Sequence, residues 1–309
     1  MNDPVVSAKG VSKWYGQVIG LNNFSVEIGH GITGIVGPNG SGKSTFFKIV
    51  TGTIRSEVGE IAVLGQEPWR NPVLLQDIGF CPDYDFLPFD LTGREYLRFA
   101  GGMHGMEGAA LGTRTDEVLG IFGMKAAADR KMGGYSKGMV QRIKMAGSML
   151  HDPKLLLLDE PLTGTDPIAR RDLMDLIADL NEVHGHDIIV SSHVLHEIER
   201  LTSNVALIYK GRAVASGGIH EIRSLMSDHP HNIVLEGRGM VELAKVLIGR
   251  PYTVSVEMRP ERKGLIVRVS DPEAFFDSVA DLIRESGCDL DTMQSLDDDL
   301  EAVFKYLVG

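Results

Sequence analysis

The stretch Gly37-Pro38-Asn39-Gly40-Ser41-Gly42-Lys43-Ser44-Thr45 constrains this chain more than any other. A glycine, four residues and then Gly-Lys-Ser is the spacing of a phosphate-binding loop. Residues 31–36 before it, Gly-Ile-Thr-Gly-Ile-Val, are apolar and β-branched and read as a buried strand. Phe46-Phe47-Lys48-Ile49-Val50 behind it continue as a helix. In that order each residue has a task. The glycines let backbone N–H groups turn inward around phosphate oxygens, where a Cβ would clash. The helix N-terminus adds a partial positive charge. Lys43 reaches the β- and γ-phosphates, and Ser44 offers its hydroxyl to Mg²⁺. A glycine-rich turn that binds nothing is the alternative, and the strand–loop–helix context disfavours it.

The length of 309 residues accommodates one large domain and a small one, and 43% hydrophobic residues is ordinary for a chain with a real core. Lys and Arg number 31 against 42 Asp and Glu, a formal charge of −11. That balance argues against nucleic acid as a partner. Two distant cysteines, Cys81 and Cys288, show no metal or disulfide spacing, so a reducing cytoplasm is the expected setting. The start Met1-Asn2-Asp3-Pro4 lacks signal-peptide character. No apolar run approaches the ~18–20 residues that cross a bilayer.

Along the chain, Val5 to Val11 reads as a strand, Trp14-Tyr15-Gly16 follows it, and Leu21 to Ile28 reads as a second strand. An aromatic here either stacks on a nucleotide base or plugs the sheet; taken alone, the plug is the simpler reading. Glu60–Gly65 and Asp77–Cys81 look like further strands. Residues 90–150 change to a helical insertion, opened by the capping-box spacing Thr92-Gly93-Arg94-Glu95. Within it, Asp116 to Phe122 and the stretch carrying Val140, Ile143, Met145 and Met149 are helical, and Gly133 to Gly138 breaks the pattern between them. Leu155-Leu156-Leu157-Leu158-Asp159-Glu160 fits a strand buried on both faces that ends in two carboxylates, where ligands bind in open α/β sheets. Asp166-Pro167 is a helix start. Asp187 to Ser192 is another core strand, ending at His193, a candidate γ-phosphate contact. His184, His186 and His196 match no metal spacing and read as surface residues. Asn204–Tyr209 and Arg212–Ser216 form a hairpin across Lys210-Gly211, and Ile219 to Met226 a short helix. These elements place a first domain at residues 1–226 and a polar linker at 227–231. Residues 232–309 then follow β-α-β-β-α-β order, which suggests a small ferredoxin-like α+β domain with a last helix over 300–307. Its simplest role is dimerisation or stabilisation.

Together the motifs over residues 4–226 resemble the ATP-binding subunit of an ABC transporter, in the family's order. The resemblance implies an α/β phosphate-loop NTPase cassette with an antiparallel β subdomain and a helical subdomain. Tyr15 matches the adenine-stacking aromatic, and Gly37 to Thr45 the phosphate loop. Ser136-Lys137-Gly138-Met139 matches the signature motif, Asp159 the magnesium-binding acid and Glu160 the general base. Gly164-Thr165-Asp166 matches the D-loop and His193 the switch histidine. The cofactors implied are ATP and Mg²⁺. A second cassette is implied as partner, facing the first head to tail, so that Ser136 and the Gly138 amide contact the γ-phosphate held by the other phosphate loop. Lys43 and His193 steady the transferring phosphoryl group.

Three positions depart from the family pattern. Asp83 stands where the family has its Q-loop glutamine, and as a carboxylate it is expected to join Ser44 and Asp159 toward Mg²⁺; Lys137 replaces a signature glycine, and Leu162-Thr163 opens the D-loop in place of a small polar pair. The Tyr-Ser-Lys-Gly-Met signature and the tail Ser295 to Phe304 resemble ABC-2-type exporters. Such subunits work with a separate membrane permease whose cytoplasmic helix docks near Asp83 and the helical insertion, with Asp83 to Phe89 forming part of the groove. The expected location is therefore cytoplasmic, on the inner face of the membrane through the permease. The competing reading is a soluble ABC ATPase that acts on ribosomes or nucleic acid. Translation relatives carry two cassettes, and repair relatives carry coiled coils or zinc sites; neither feature is visible. A regulatory cassette whose C-terminal domain binds a small molecule is a third reading.

Overall fold

The computed structural model of the chain describes residues 3–84, 87–224, 230–259, 264–295 and 304. Two compact units divide it, Met1–Gly217 and Gly218–Gly309. In chain order the first carries β1 (Val6–Tyr15), β2 (Val18–Ile28), β3 (Ile32–Val36), α1 (Lys43–Val50), β4 (Val58–Val63) and β5 (Ile78–Cys81). Then come α2 (Gly93–Met103), α3 (Gly108–Ile121), α4 (Lys137–Ser148), β6 (Leu155–Leu158), α5 (Pro167–Glu182), β7 (Asp187–Ser192), α6 (Leu195–Leu201), β8 (Asn204–Tyr209) and β9 (Arg212–Gly218).

The strands form a three-stranded sheet in the order β2-β1-β4 and a six-stranded sheet in the order β5-β6-β7-β3-β8-β9. The small sheet is antiparallel, and β5, β6, β7, β3 and β8 run parallel. Leu155 to Leu158 are all buried, as expected for a parallel strand covered on both faces. Burying such a side chain contributes about 1.5–3 kcal/mol. One hydrophobic core joins the two sheets around α1: Phe46 and Phe47 pack with Phe24 and Val26 of the small sheet and Leu155 and Leu157 of the large one. The Phe24 and Phe46 rings lie 5.1 Å apart. The loop that precedes α1 is thereby anchored between two layers.

The topology positions the site. Strands β6, β7 and β3 are adjacent and parallel, so their C-terminal ends lie side by side. Those ends lead into Asp159-Glu160, His193 and the phosphate loop respectively. α2, α3 and α4 form the helical insertion, with Leu97, Val118, Leu119, Phe122 and Ile143 fully buried. The capping box at Thr92 is formed: Thr92 Oγ1 accepts from Glu95 N, and Thr92 N donates to a Glu95 carboxylate oxygen at 2.8 Å.

Several expectations are corrected. β1 runs through Trp14 and Tyr15, which pair with Ile19 and Val18 across a tight turn at Gly16, where φ is +63°. α3 starts at Gly108, well before Asp116, because its first half is small and weakly patterned. α6 follows His193 without a side-chain N-cap and was invisible to cap-based reading, although Ile198 seats it fully in the core. His186 is buried, and its Nδ1 lies 2.7 Å from the Pro153 carbonyl, so it is an interior connector between α5 and the β6 entry. His184 and His196 are exposed. Cys81 and Cys288 are both free and buried.

The second unit carries α7 (Ile219–Ser224), β10 (His231–Arg238), α8 (Met240–Ile248), β11 (Thr253–Arg259), β12 (Gly264–Val269), α9 (Pro272–Ser286) and β13 (Asp289–Ser295). Its sheet order is β11-β12-β10-β13, all antiparallel. Leu243 and Leu247 of α8 and Phe275 and Leu282 of α9 pack on Ile233, Leu235, Leu265 and Val267. Most of the expected linker, the turn at Pro260–Lys263 and nearly all of the expected last helix lie outside the described residues.

Candidate functional site

The loop between β3 and α1 is built by close packing. A Cβ on Gly37 would sit 2.2 Å from the Ile208 carbonyl, and one on Gly42, where φ is +117°, 2.7 Å from the Gly20 carbonyl. Only glycine fits either position. Lys43 starts α1 and is buried. Its ammonium donates to the Gly37 carbonyl at 2.7 Å and the Pro38 carbonyl at 3.4 Å. It also lies 3.2 Å from Glu160 Oε1, an ion contact without hydrogen-bond geometry. Ser41 Oγ is buried with no hydrogen-bond partner. The loop thus presents an unsatisfied hydroxyl and a cation, both suited to phosphate oxygens.

The acidic pair lies beside the loop. Ser191 Oγ, on β7, accepts from Glu160 N at 2.9 Å and donates to Asp159 Oδ1 at 2.7 Å, so one hydroxyl fixes both residues. Glu160 holds φ at +50°, strained for a side chain of its size, and is overdetermined by its partners. Its Oε2 lies 2.8 Å from His193 Nδ1 and accepts from Thr163 Oγ1 at 3.2 Å. Asp159 is buried, and burial pushes its carboxyl above the usual carboxylate range. Hydrogen bonds from Ser191 and Ser44 oppose that shift, and the charges of Asp83 and Glu160 add to it.

A cavity of about 270 Å³ is lined by Tyr15, Gly20, Asn39 to Thr45, Asp83 and Glu160. Pro38 contributes a carbonyl to the same loop. Tyr15 is 45% exposed, which rules out the sheet plug and leaves its ring on the cavity wall. Asp83 shares the wall with Ser44 and Glu160, and its backbone carbonyl accepts from Lys144 at 3.2 Å. Among the described residues no group of three or more His, Cys, Asp or Glu side chains is arranged to hold a metal by itself. The Ser44 hydroxyl against the Asp159 carboxylate is nevertheless an oxygen donor set suited to Mg²⁺, which takes few protein ligands beside phosphate.

Ser136 and Gly138 are not brought to this cavity. Ser136 caps α4, accepting from Met139 N at 3.3 Å, and is exposed. Gly138 is buried against α5: a Cβ there would lie 2.8 Å from Ala169 Cβ. The sequence reading missed Ser191 and Thr163. Ser191 carried a usable signal, a fully buried polar residue inside an apolar core strand.

The Asp159 environment has a measurable consequence. Its folded-state pKa lies above its unfolded value, so the carboxyl detracts from stability as pH rises through that interval and at all higher pH. Asp159→Asn keeps an oxygen acceptor without the buried charge. The variant is expected to melt higher than the parent at pH 7 without Mg²⁺, the gap closing below about pH 4. ATP hydrolysis should be lost. Thermal unfolding across pH with a phosphate-release assay checks both.

The ABC transporter family profile matches residues 21–163. The Nod factor export ATP-binding protein I of Rhizobium leguminosarum bv. viciae is 32% identical, over 84% of this chain and 80% of that protein. The daunorubicin resistance ATP-binding protein DrrA3 of Streptomyces coeruleorubidus is 27% identical, over 100% of this chain and 97% of that protein. Among solved structures, cbiO1 of Clostridium perfringens, part of the ABC transporter complex cbiONQ, superimposes with a TM-score of 0.66 at 25% identity, over 73% of this chain and 95% of that one. Identity of 32% over 84% of this chain, with the family profile matching across residues 21–163, places the chain in the ABC transporter family, as one of its ATP-binding proteins.

Proposed function

We propose that the chain is the ATP-hydrolysing subunit of an exporter, powering translocation through a separate membrane permease. One observation carries the reading. Lys43, Ser44, Asp159, Glu160 and His193 converge at the adjacent ends of β3, β6 and β7, while Ser136 is exposed and does not line the cavity. A single copy therefore holds half of each nucleotide site, and two copies arranged head to tail complete both.

In the proposed complex Tyr15 supports the adenine ring, and the amides of residues 37–45 and the Lys43 ammonium hold the phosphates. Ser44 and Asp159 hold Mg²⁺, with Asp83 facing the same space. The ion, when bound, neutralises charge on the phosphate oxygens. Glu160, fixed by His193 and Thr163, accepts the proton of the attacking water. Catalysis is mainly positioning and charge stabilisation. The Ser136 hydroxyl and the Gly138 amide, at the positive end of α4, contact the γ-phosphate held by the partner copy.

Export is supported by the names of the relatives, which concern Nod factor export and daunorubicin resistance. Among the described residues no helix is long and apolar enough to cross a membrane, so a membrane location would come through the permease. A groove of about 350 Å³ between β5 and the helical insertion, lined by Phe80, Pro82, Tyr84, Tyr96 and His104, suits a docking helix. The C-terminal unit reads as a ferredoxin-like accessory domain that stabilises the paired state. Net charge of −11 disfavours the ribosome or nucleic-acid alternative.

The test is affinity capture of tagged Glu160→Gln protein from native membranes, with and without ATP and Mg²⁺. Recovery of a multispan membrane protein is the expected result. Recovery of ribosomes alone would overturn the transport reading and leave the ATPase intact.

A further inference from the structure

Behind the site lies an ion pair with no part in the chemistry described above. Glu197, on α6, is 4% exposed. One of its oxygens accepts from Ser192 Oγ at 2.9 Å, and the other lies 3.2 Å from Arg170 Nη1. Ser192 Oγ in turn accepts from Val194 N at 3.0 Å. Ser192 and Val194 flank His193, so the backbone on both sides of the switch histidine is tied to this one carboxylate. On the other side, Arg170 Nη2 donates to the Thr165 carbonyl at 3.4 Å, at the end of the D-loop.

Arg170 belongs to the first turn of α5. Asp166 caps that turn, accepting from Ile168 N at 3.0 Å and Ala169 N at 2.9 Å. Ala169 is the residue on which Gly138 of the signature helix packs. A second bridge, Arg142 to Asp172 at 3.5 Å, joins α4 to α5 farther along. The signature segment and the D-loop are therefore coupled to one rigid helix end. That helix end reaches His193, and through it Glu160, by way of Arg170 and Glu197.

The geometry points to Arg170 and Glu197 as a positioning couple: it holds His193 and Glu160 in hydrolytic register according to where the D-loop and the signature helix sit. Charge makes the couple specific. A nearly buried carboxylate needs its cation, and the Arg170 guanidinium spans from the Glu197 oxygen to the Thr165 carbonyl. Neither residue lines the nucleotide cavity, so substrate affinity does not depend on them. The inference rests on the assignment of Glu160 and His193 made above.

The test compares Glu197→Gln, Arg170→Lys, Arg170→Ala and the Arg170→Ala/Glu197→Gln double variant in the full chain. Glu197→Gln keeps the acceptor for Ser192 and removes the buried charge, leaving the Arg170 guanidinium, 36% exposed, to solvent and the Thr165 carbonyl. It is expected to lower kcat about tenfold, the size of one charge-assisted hydrogen bond, with the KM for ATP within about twofold. Melting temperature and ATP-driven association should be unchanged. Arg170→Lys should recover part of the kcat that Arg170→Ala loses. The double variant should be no slower than the worse single variant, because the two side chains act as one unit. Unchanged kcat in Glu197→Gln, losses that multiply in the double variant, or a fall in kcat matched by lower melting temperature and ATP affinity would each overturn the inference. Glu160→Gln and His193→Ala are measured alongside. Full hydrolysis in those two would defeat the site assignment itself, a result distinct from failure of the couple alone.

Discussion

Glu160→Gln should reduce steady-state ATP hydrolysis by about 10²–10⁴-fold, the span of a lost general base, and leave two copies locked together by ATP. The geometry separates the two effects. Gln keeps an oxygen to face His193 and Thr163, which lie 2.8 and 3.2 Å from Glu160 Oε2, so the side chain stays in place. It cannot take a proton from water. Removing the carboxylate also releases Lys43, now 3.2 Å from Glu160 Oε1, for the nucleotide, and removes a negative charge that would face the γ-phosphate. ATP affinity should therefore hold or rise while turnover stops. Size-exclusion chromatography with saturating ATP and Mg²⁺ should show a dimer that reverts only on removal of nucleotide. A monomer under those conditions would refute the shared-site model. Hydrolysis within about tenfold of the parent would remove Glu160 from the role of base, since general bases contribute more than that.

Much of this site was legible in the sequence because its parts are local. The phosphate loop, the four leucines ending in Asp159-Glu160, the Thr92 capping box and the Asp166-Pro167 helix start are short patterns with backbone consequences, and the structure places each element where the pattern puts it. What was missed is non-local. Ser191 matters because β7 lies beside β6, a pairing no single stretch encodes. Glu197 matters because α6 folds back on the core, and α6 opens without a side-chain cap to announce it. The sheet-plug reading of Tyr15, the simpler one when the residue is taken alone, fails for a related reason. The residue's exposure depends on a hairpin turn at Gly16 that carries the strand four residues farther, from Val11 to Tyr15, than alternation suggests. His186 read as a surface residue because its partner, the Pro153 carbonyl, is far away in sequence.

Lys43→Ala should weaken ATP binding by about 30–150-fold, or roughly 2–3 kcal/mol, before any effect on chemistry. A unit charge about 4 Å from a phosphate oxygen is worth about 4 kcal/mol at an effective dielectric near 20. That value is an upper bound here, because Lys43 must first leave the Gly37 carbonyl at 2.7 Å and the Glu160 carboxylate at 3.2 Å. The loss on mutation is therefore smaller than the bare Coulomb energy, yet far above experimental error. Titration calorimetry without hydrolysis reads it directly. One confounding effect is predictable: truncating Lys43 leaves the Glu160 carboxylate, with Oε1 fully buried, facing no cation, so the single variant should also melt lower. The Lys43→Ala/Glu160→Gln double variant separates the two, because it removes the orphaned charge. Its melting temperature should recover while its ATP affinity stays low. Recovery of both would mean that the ammonium supports the fold of the loop and does not hold phosphate, and unchanged affinity in the single variant would sink the assignment outright.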